Sequence, residues 1–244
     1  MFKSLLLILS IVGIGIAQSS SAQSLNEFFK KTDEFLNKNV LDKAVDYNRI
    51  AKNKDELNYL TQAINTNSLD NNSDQEKKAF FINAYNLLVI KSILANYPVN
   101  SPMDIPGFFD KQKHRISGEL LTLNEIENDK IREEFKDSRI HFVLVCAAKG
   151  CPAIVNYAYR PEGLDQQLNN KTKSAINNPE FTKVDLASKK ILLSEIFKWY
   201  KEDFTRETGS LLEYVRKYYN KDIDESFTVD HYEYNWQLND LNSH

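Results

Sequence analysis

Three residues able to carry proton or covalent chemistry stand close together in this chain: His141, Cys146 and Cys151, the last followed by Pro152. A thiol attacks as its thiolate, so it needs a neighbouring imidazole or helix dipole, and the imidazole needs an orienting partner. Cys151 as nucleophile with His141 as base would serve hydrolysis or acyl transfer. The run Ile140–Cys146 is apolar apart from His141 and predicts a buried central strand. Side chains alternate along a strand, which puts His141 with Val143 and Val145, and Cys146 with Phe142 and Leu144. On that expectation His141 cannot serve Cys146, and Cys151, beyond the turn, is the partner left open to it.

The same residues have plainer readings. A histidine inside an apolar run can be a hydrogen-bonded core residue. Two cysteines in an oxidising compartment can form one disulfide, here closing a loop small enough to contribute only about 2 kcal/mol. Thiol–disulfide exchange is a third reading, although Cys-x4-Cys is not the Cys-x-x-Cys spacing that such chemistry usually employs. No zinc spacing links the cysteines to His114, His231 or His244, and neither a metal nor another cofactor is expected. Asn83 and Asn86 lie three apart in an otherwise apolar helix, so they share a face and demand partners. They either line a site, with Asn83 polarising or orienting, or satisfy the backbone of a neighbouring loop. Asp203 and Glu127 complete the candidates, as binding or supporting residues.

The elements that would position these residues follow from local signals. Leu25, Phe28, Phe29, Phe35 and Leu36 recur at helical spacing within 24–39, and 54–64 predicts a second helix. Ser73-x-x-Glu76 is a capping box opening a long helix that ends near Asn96, before Pro98. Its middle, Ala79–Ile90, is apolar nearly all round and belongs in the centre of the domain, too short to cross a membrane. A hairpin is expected around Ser117-Gly118, a second capping box at Thr122-x-x-Glu125, and a helix over 162–176. Segments 182–186 and 190–193 predict another hairpin, followed by helices at 194–200 and 209–219. Tyr232, Tyr234, Trp236 and Leu238 alternate with polar residues and predict a half-buried strand. The class is α+β: a single domain with its apolar helix packed on a small, mostly antiparallel sheet.

Residues 1–22 predict a cleavable export signal: Lys3, an apolar run from Leu5 to Ala17, then Ser20-Ser21-Ala22 before Gln23. Its loss changes the formal net charge from −3 to −4 and leaves about 222 residues, ample for a core. Mild acidity with dispersed lysines gives no footprint for nucleic acid. The mature protein is therefore expected outside the cytoplasm, without stable membrane insertion, meeting a small molecule or peptide.

Several motifs follow in order: Phe81-Ile-Asn83-Ala-Tyr85-Asn86, Leu121–Glu127, Arg139-Ile-His141, Cys146-x4-Cys151-Pro152, Ile196–Phe204 and Tyr234-Asn-Trp236-x-Leu238-Asn239. Together they resemble the domain of unknown function 547 family, from Tyr47 to Asn239. The chain is thus expected to divide into an export signal (1–22), an N-terminal helix (23–46), the domain that carries the resemblance (47–239) and a tail (240–244). The resemblance implies no reaction. Members of that family often carry His directly after the glutamate matching Glu127, where this chain has Asn128.

Overall fold

The computed structural model describes residues 20–242, and the fold is α+β with small sheets. The expected export signal lies outside the described residues except for its last three, Ser20–Ala22, which form the first turn of α1 (Ser20–Asn39). This helix therefore starts before residue 24, and it buries Leu25, Phe28, Phe29, Phe35 and Leu36 along one stripe. A two-residue ladder of β1 (Val40–Leu41) and β2 (Ala44–Val45) leads into α2 (Tyr47–Lys52) and α3 (Asp55–Thr66).

The centre is α4 (Asp74–Asn96). Ser73 accepts from the Glu76 N–H while the Glu76 carboxylate accepts from the Ser73 N–H, so the expected capping box is formed. The helix stops before Pro98, which disfavours helical backbone in the residue preceding it. By length and composition α4 could cross a membrane, contrary to the expectation drawn from Ala79–Ile90 alone. However, 83% of its apolar window is buried inside the protein, and it packs against α1, α2 and α3.

The hairpin of β3 (Lys113–Ile116) and β4 (Glu119–Thr122) turns through Ser117 and Gly118, at φ of 48° and 81°. Both values are positive, as a two-residue hairpin turn matching the strand twist requires. Thr122 and Glu125 form the second capping box, at the start of α5 (Leu123–Glu125). The chain then widens into a π-helical segment (Ile126–Arg132), where the Glu133 N–H bonds the Asn128 carbonyl, and narrows again into α6 (Glu133–Phe135).

Segment 140–146 is not a strand. Ser138–Phe142 is a 3-10 turn capped by Asp137, and the chain beyond it is irregular. Its unbroken apolarity has another cause. Ile140, Val143 and Leu144 enter the core around α4, whereas Phe142, Ala148 and Cys151 enter a second core with Phe197, Phe204 and Tyr214. Backbone groups that a neighbouring strand would have satisfied are taken up by a side chain: the Asn86 amide donates to the Val143 carbonyl at 2.9 Å and accepts from the Val145 N–H at 3.0 Å.

After α7 (Leu164–Ile176) comes the expected hairpin of β5 (Thr182–Asp185) and β6 (Lys190–Ser194). Helices α8 (Ile196–Trp199), α9 (Lys201–Thr208) and α10 (Leu211–Tyr218) then cross over to β7 (Thr228–Tyr232), which pairs parallel with β6. The final strand thus ends at Tyr232, where the sequence pattern had it begin. Residues 234–239 instead run as an extended tail against 147–150. The Lys149 N–H bonds the Gln237 carbonyl at 2.7 Å, and the Gly150 N–H bonds the Asn235 carbonyl at 2.8 Å. A Cβ at Gly150 would sit 2.9 Å from the Asn235 nitrogen, so this approach requires glycine.

Candidate functional site

The tail, α8, the π-helical segment and the 141–151 segment enclose a cavity of about 290 Å³. His141 lines it, and its Nε2 lies 2.7 Å from Asp203 Oδ2. Asp203 opens α9 and is a hub: Arg132 Nε donates to Oδ2 at 2.8 Å and Arg206 donates to Oδ1 at 3.1 Å. Burial alone would raise the Asp203 carboxyl, but hydrogen bonds from His141 and Arg132 hold it well below the usual carboxylate range. Asp203 is therefore an acceptor, the His141 hydrogen sits on Nε2, and Nδ1 is the nitrogen left for a ligand. The imidazole is fixed on its faces as well, stacked on Tyr200 at 4.0 Å between ring centres with Phe204 at 5.2 Å.

Glu127 supplies the second polar group. It is buried, it accepts from the Tyr85 hydroxyl at 3.2 Å, and it is also hydrogen-bonded by Tyr200. Burial, and next the Glu127 charge, push both phenols well above their ordinary value, so they remain donors at neutral pH. The π-helical winding assists here. In an α-helix Glu127 and Arg132, five apart, would point about 140° from each other. The wider π turn closes hydrogen bonds five residues apart and draws the pair together.

The rest of the lining is largely aromatic and sulfur-bearing. Trp199, Tyr234 and Trp236 pack on one another with ring centres 4.7 to 5.9 Å apart. Cys146 and Cys151 line the cavity as a disulfide, and no free cysteine remains among the described residues. The Cys151 sulfur accepts from the Cys146 N–H and from the Tyr234 hydroxyl, each at 3.0 Å. Both donors would stabilise a thiolate at that sulfur. Among the described residues no group of three or more His, Cys, Asp or Glu is placed to hold a metal ion.

A family model described as "Protein of unknown function, DUF547" matches residues 69–175. Over that segment, which is less than half of the chain, the sequence is similar to this family. No curated protein and no solved structure matches the chain. The DUF547 segment carries Tyr85, Glu127, Arg132, His141 and both cysteines, while Trp199, Tyr200, Asp203, Tyr234 and Trp236 come from the chain that follows.

Of the residues singled out by sequence, the fold brings His141, Glu127, Cys146 and Cys151 to the cavity wall, with Asp203 directly behind His141. The alternation that kept His141 from Cys146 does not operate, because no strand is there. Asn83 and Asn86 are not on the cavity wall. Asn83 donates to the Tyr159 carbonyl at 2.7 Å and accepts its N–H at 3.0 Å, which leaves no amide for a substrate. The loop-holding reading of both asparagines is thus the one their contacts fit, and the polarising role expected for Asn83 has no geometry behind it. Arg132 and Tyr200 were missed. Neither had a distinguishing signal, since a charge on a short helix and an aromatic beside Trp199 read as surface and core. Asn128, standing where family members often have His, donates nothing to the cavity; its side-chain oxygen accepts from Arg132.

Proposed function

We propose that this cavity is the active site of a Cys/His-dependent hydrolase or acyl-transfer enzyme, latent while its two sulfurs are bonded. The observation that carries the reading is the cysteine pair sharing a cavity with a histidine whose far nitrogen is anchored by Asp203. A dithiol reductant would convert the disulfide into two thiols and itself become a disulfide. Cys151 would then pass its proton to His141 and attack an acyl carbonyl. The leaving group would depart with that proton, and water would hydrolyse the resulting thioester. The Tyr234 hydroxyl lies 3.0 Å from both sulfurs, and donation from the Cys146 amide to Cys151 alone favours Cys151 as the nucleophile.

The test is alkylation. After reduction, Cys151 should react with iodoacetamide with an apparent pKa below the ordinary thiol value of about 8.5, and His141→Ala should slow it about tenfold or more without unfolding the protein. Cys151 labelling no faster than a peptide thiol, and indifferent to His141, would remove the enzyme reading. A second reading would then stand: a non-catalytic binding domain braced by its disulfide, which the absence of a free thiol among the described residues already favours.

The proposal includes export. The supporting pattern is Lys3, the apolar run from Leu5 to Ala17 and Ser20-Ser21-Ala22. Sequencing the mature protein should find Gln23 at its start. An intact Met1 on a soluble cytoplasmic product would end this part of the proposal.

A further inference from the structure

Glu127 is 8% exposed yet makes no ion pair within 4.0 Å among the described residues. Its contacts are phenol hydroxyls, which solvate a carboxylate without neutralising it. The nearest guanidinium is committed elsewhere: Arg132 donates to Asp203 and to Asn128, and its flat face lies over the Tyr200 ring at 4.9 Å. A buried carboxylate is costly unless paired and hydrogen-bonded, and here only the hydrogen bonds are supplied from within.

The remaining wall says what could complete the pairing. Six aromatic residues line the cavity, and among the described residues no lysine or arginine does. Ring faces attract cations, and a desolvated carboxylate attracts them more strongly. An anionic ligand would meet Glu127 in a lining that, among the described residues, holds no lysine or arginine to offset it. We infer that the ligand of this cavity carries a protonated amine, its ammonium seated on Glu127 and its attached chain laid along the Trp199–Tyr234–Trp236 wall. The inference rests on the reading that this cavity is the substrate site. In the enzyme reading it makes the substrate an amine-bearing acyl compound, with the carbonyl between Glu127 and Cys151.

The test needs no catalysis. The chain has two tryptophans, Trp199 and Trp236, and both line the cavity, so intrinsic fluorescence reports on it directly. The full chain with its disulfide intact is titrated with hexylammonium, hexan-1-ol and hexanoate at pH 7. Hexylammonium should saturate at least tenfold more tightly than hexan-1-ol, hexanoate should give no saturable change, and Glu127→Gln should remove the preference for the amine. Should Glu127→Gln fail to fold, the three probes on the unmodified protein decide alone. Equal binding of hexylammonium and hexan-1-ol, or no saturable signal from either, overturns the inference. Selective binding by a protein whose reduced form shows no activated thiol would keep this inference and remove only the enzyme reading.

Discussion

Asp203→Ala should lower stability at neutral pH by roughly 3–5 kcal/mol, the usual cost of removing one partner from a buried charged pair. The side chain is 9% exposed and bonds Arg132, His141 and Arg206, so truncation orphans several donors at once. Its pH dependence has a definite sign. The folded carboxyl titrates below its unfolded value of about 3.9, so its stabilisation is present above that value and is lost as pH falls through the acid range. Asp137, held low against burial by Arg139 and Lys78, adds to the same limb. Urea unfolding at pH 7 and pH 3 should therefore show a large penalty for Asp203→Ala at pH 7 and a clearly smaller one at pH 3. Equal penalties at both values would show that lost packing, not charge, explains the effect.

Asn86→Ala should be nearly as damaging. It strands the Val143 carbonyl and the Val145 N–H in the core, at about 1–3 kcal/mol for each unsatisfied group. The expected total is about 2–6 kcal/mol, and hydrogen exchange at the Val145 amide should accelerate. Asn86→Asp discriminates the cause: it can still accept from Val145 but cannot donate to Val143, so it should also be destabilised despite its near-identical shape. A loss below about 1 kcal/mol in both variants would mean that the 143–145 backbone finds other partners.

These two cases mark what could be read from the sequence. Ser73 and Thr122 announced their helices because a capping box is local chemistry, complete within four residues. The burial of α4 was equally legible, since a helix apolar all round has nowhere else to go. Segment 140–146 was misread because continuous apolarity marks burial on both sides without specifying extended pairing. Here the two sides are two cores, and the pairing partner is the Asn86 side chain. The site shows the same division. His141, Glu127, Asp203 and the cysteines were visible by chemical type. The π-helical bonding that brings Arg132 beside Glu127 was not, because nothing in Ile126–Arg132 departs from an ordinary helical pattern. Trp199, Tyr234 and Trp236 became a ligand wall through tail packing that no local signal encodes.

That tail bears on the order of events at the ribosome. Residues 234–239 bond the backbone of Ala147, Lys149 and Gly150 and give the cavity Tyr234 and Trp236. They are translated roughly 90 residues after the cysteines they cover. Until the tail follows, both sulfurs lack the Tyr234 hydroxyl, and the cavity lacks Tyr234 and Trp236. The Tyr234 hydroxyl follows Cys151 by roughly 80 residues, so its contact with the two sulfurs waits on the tail.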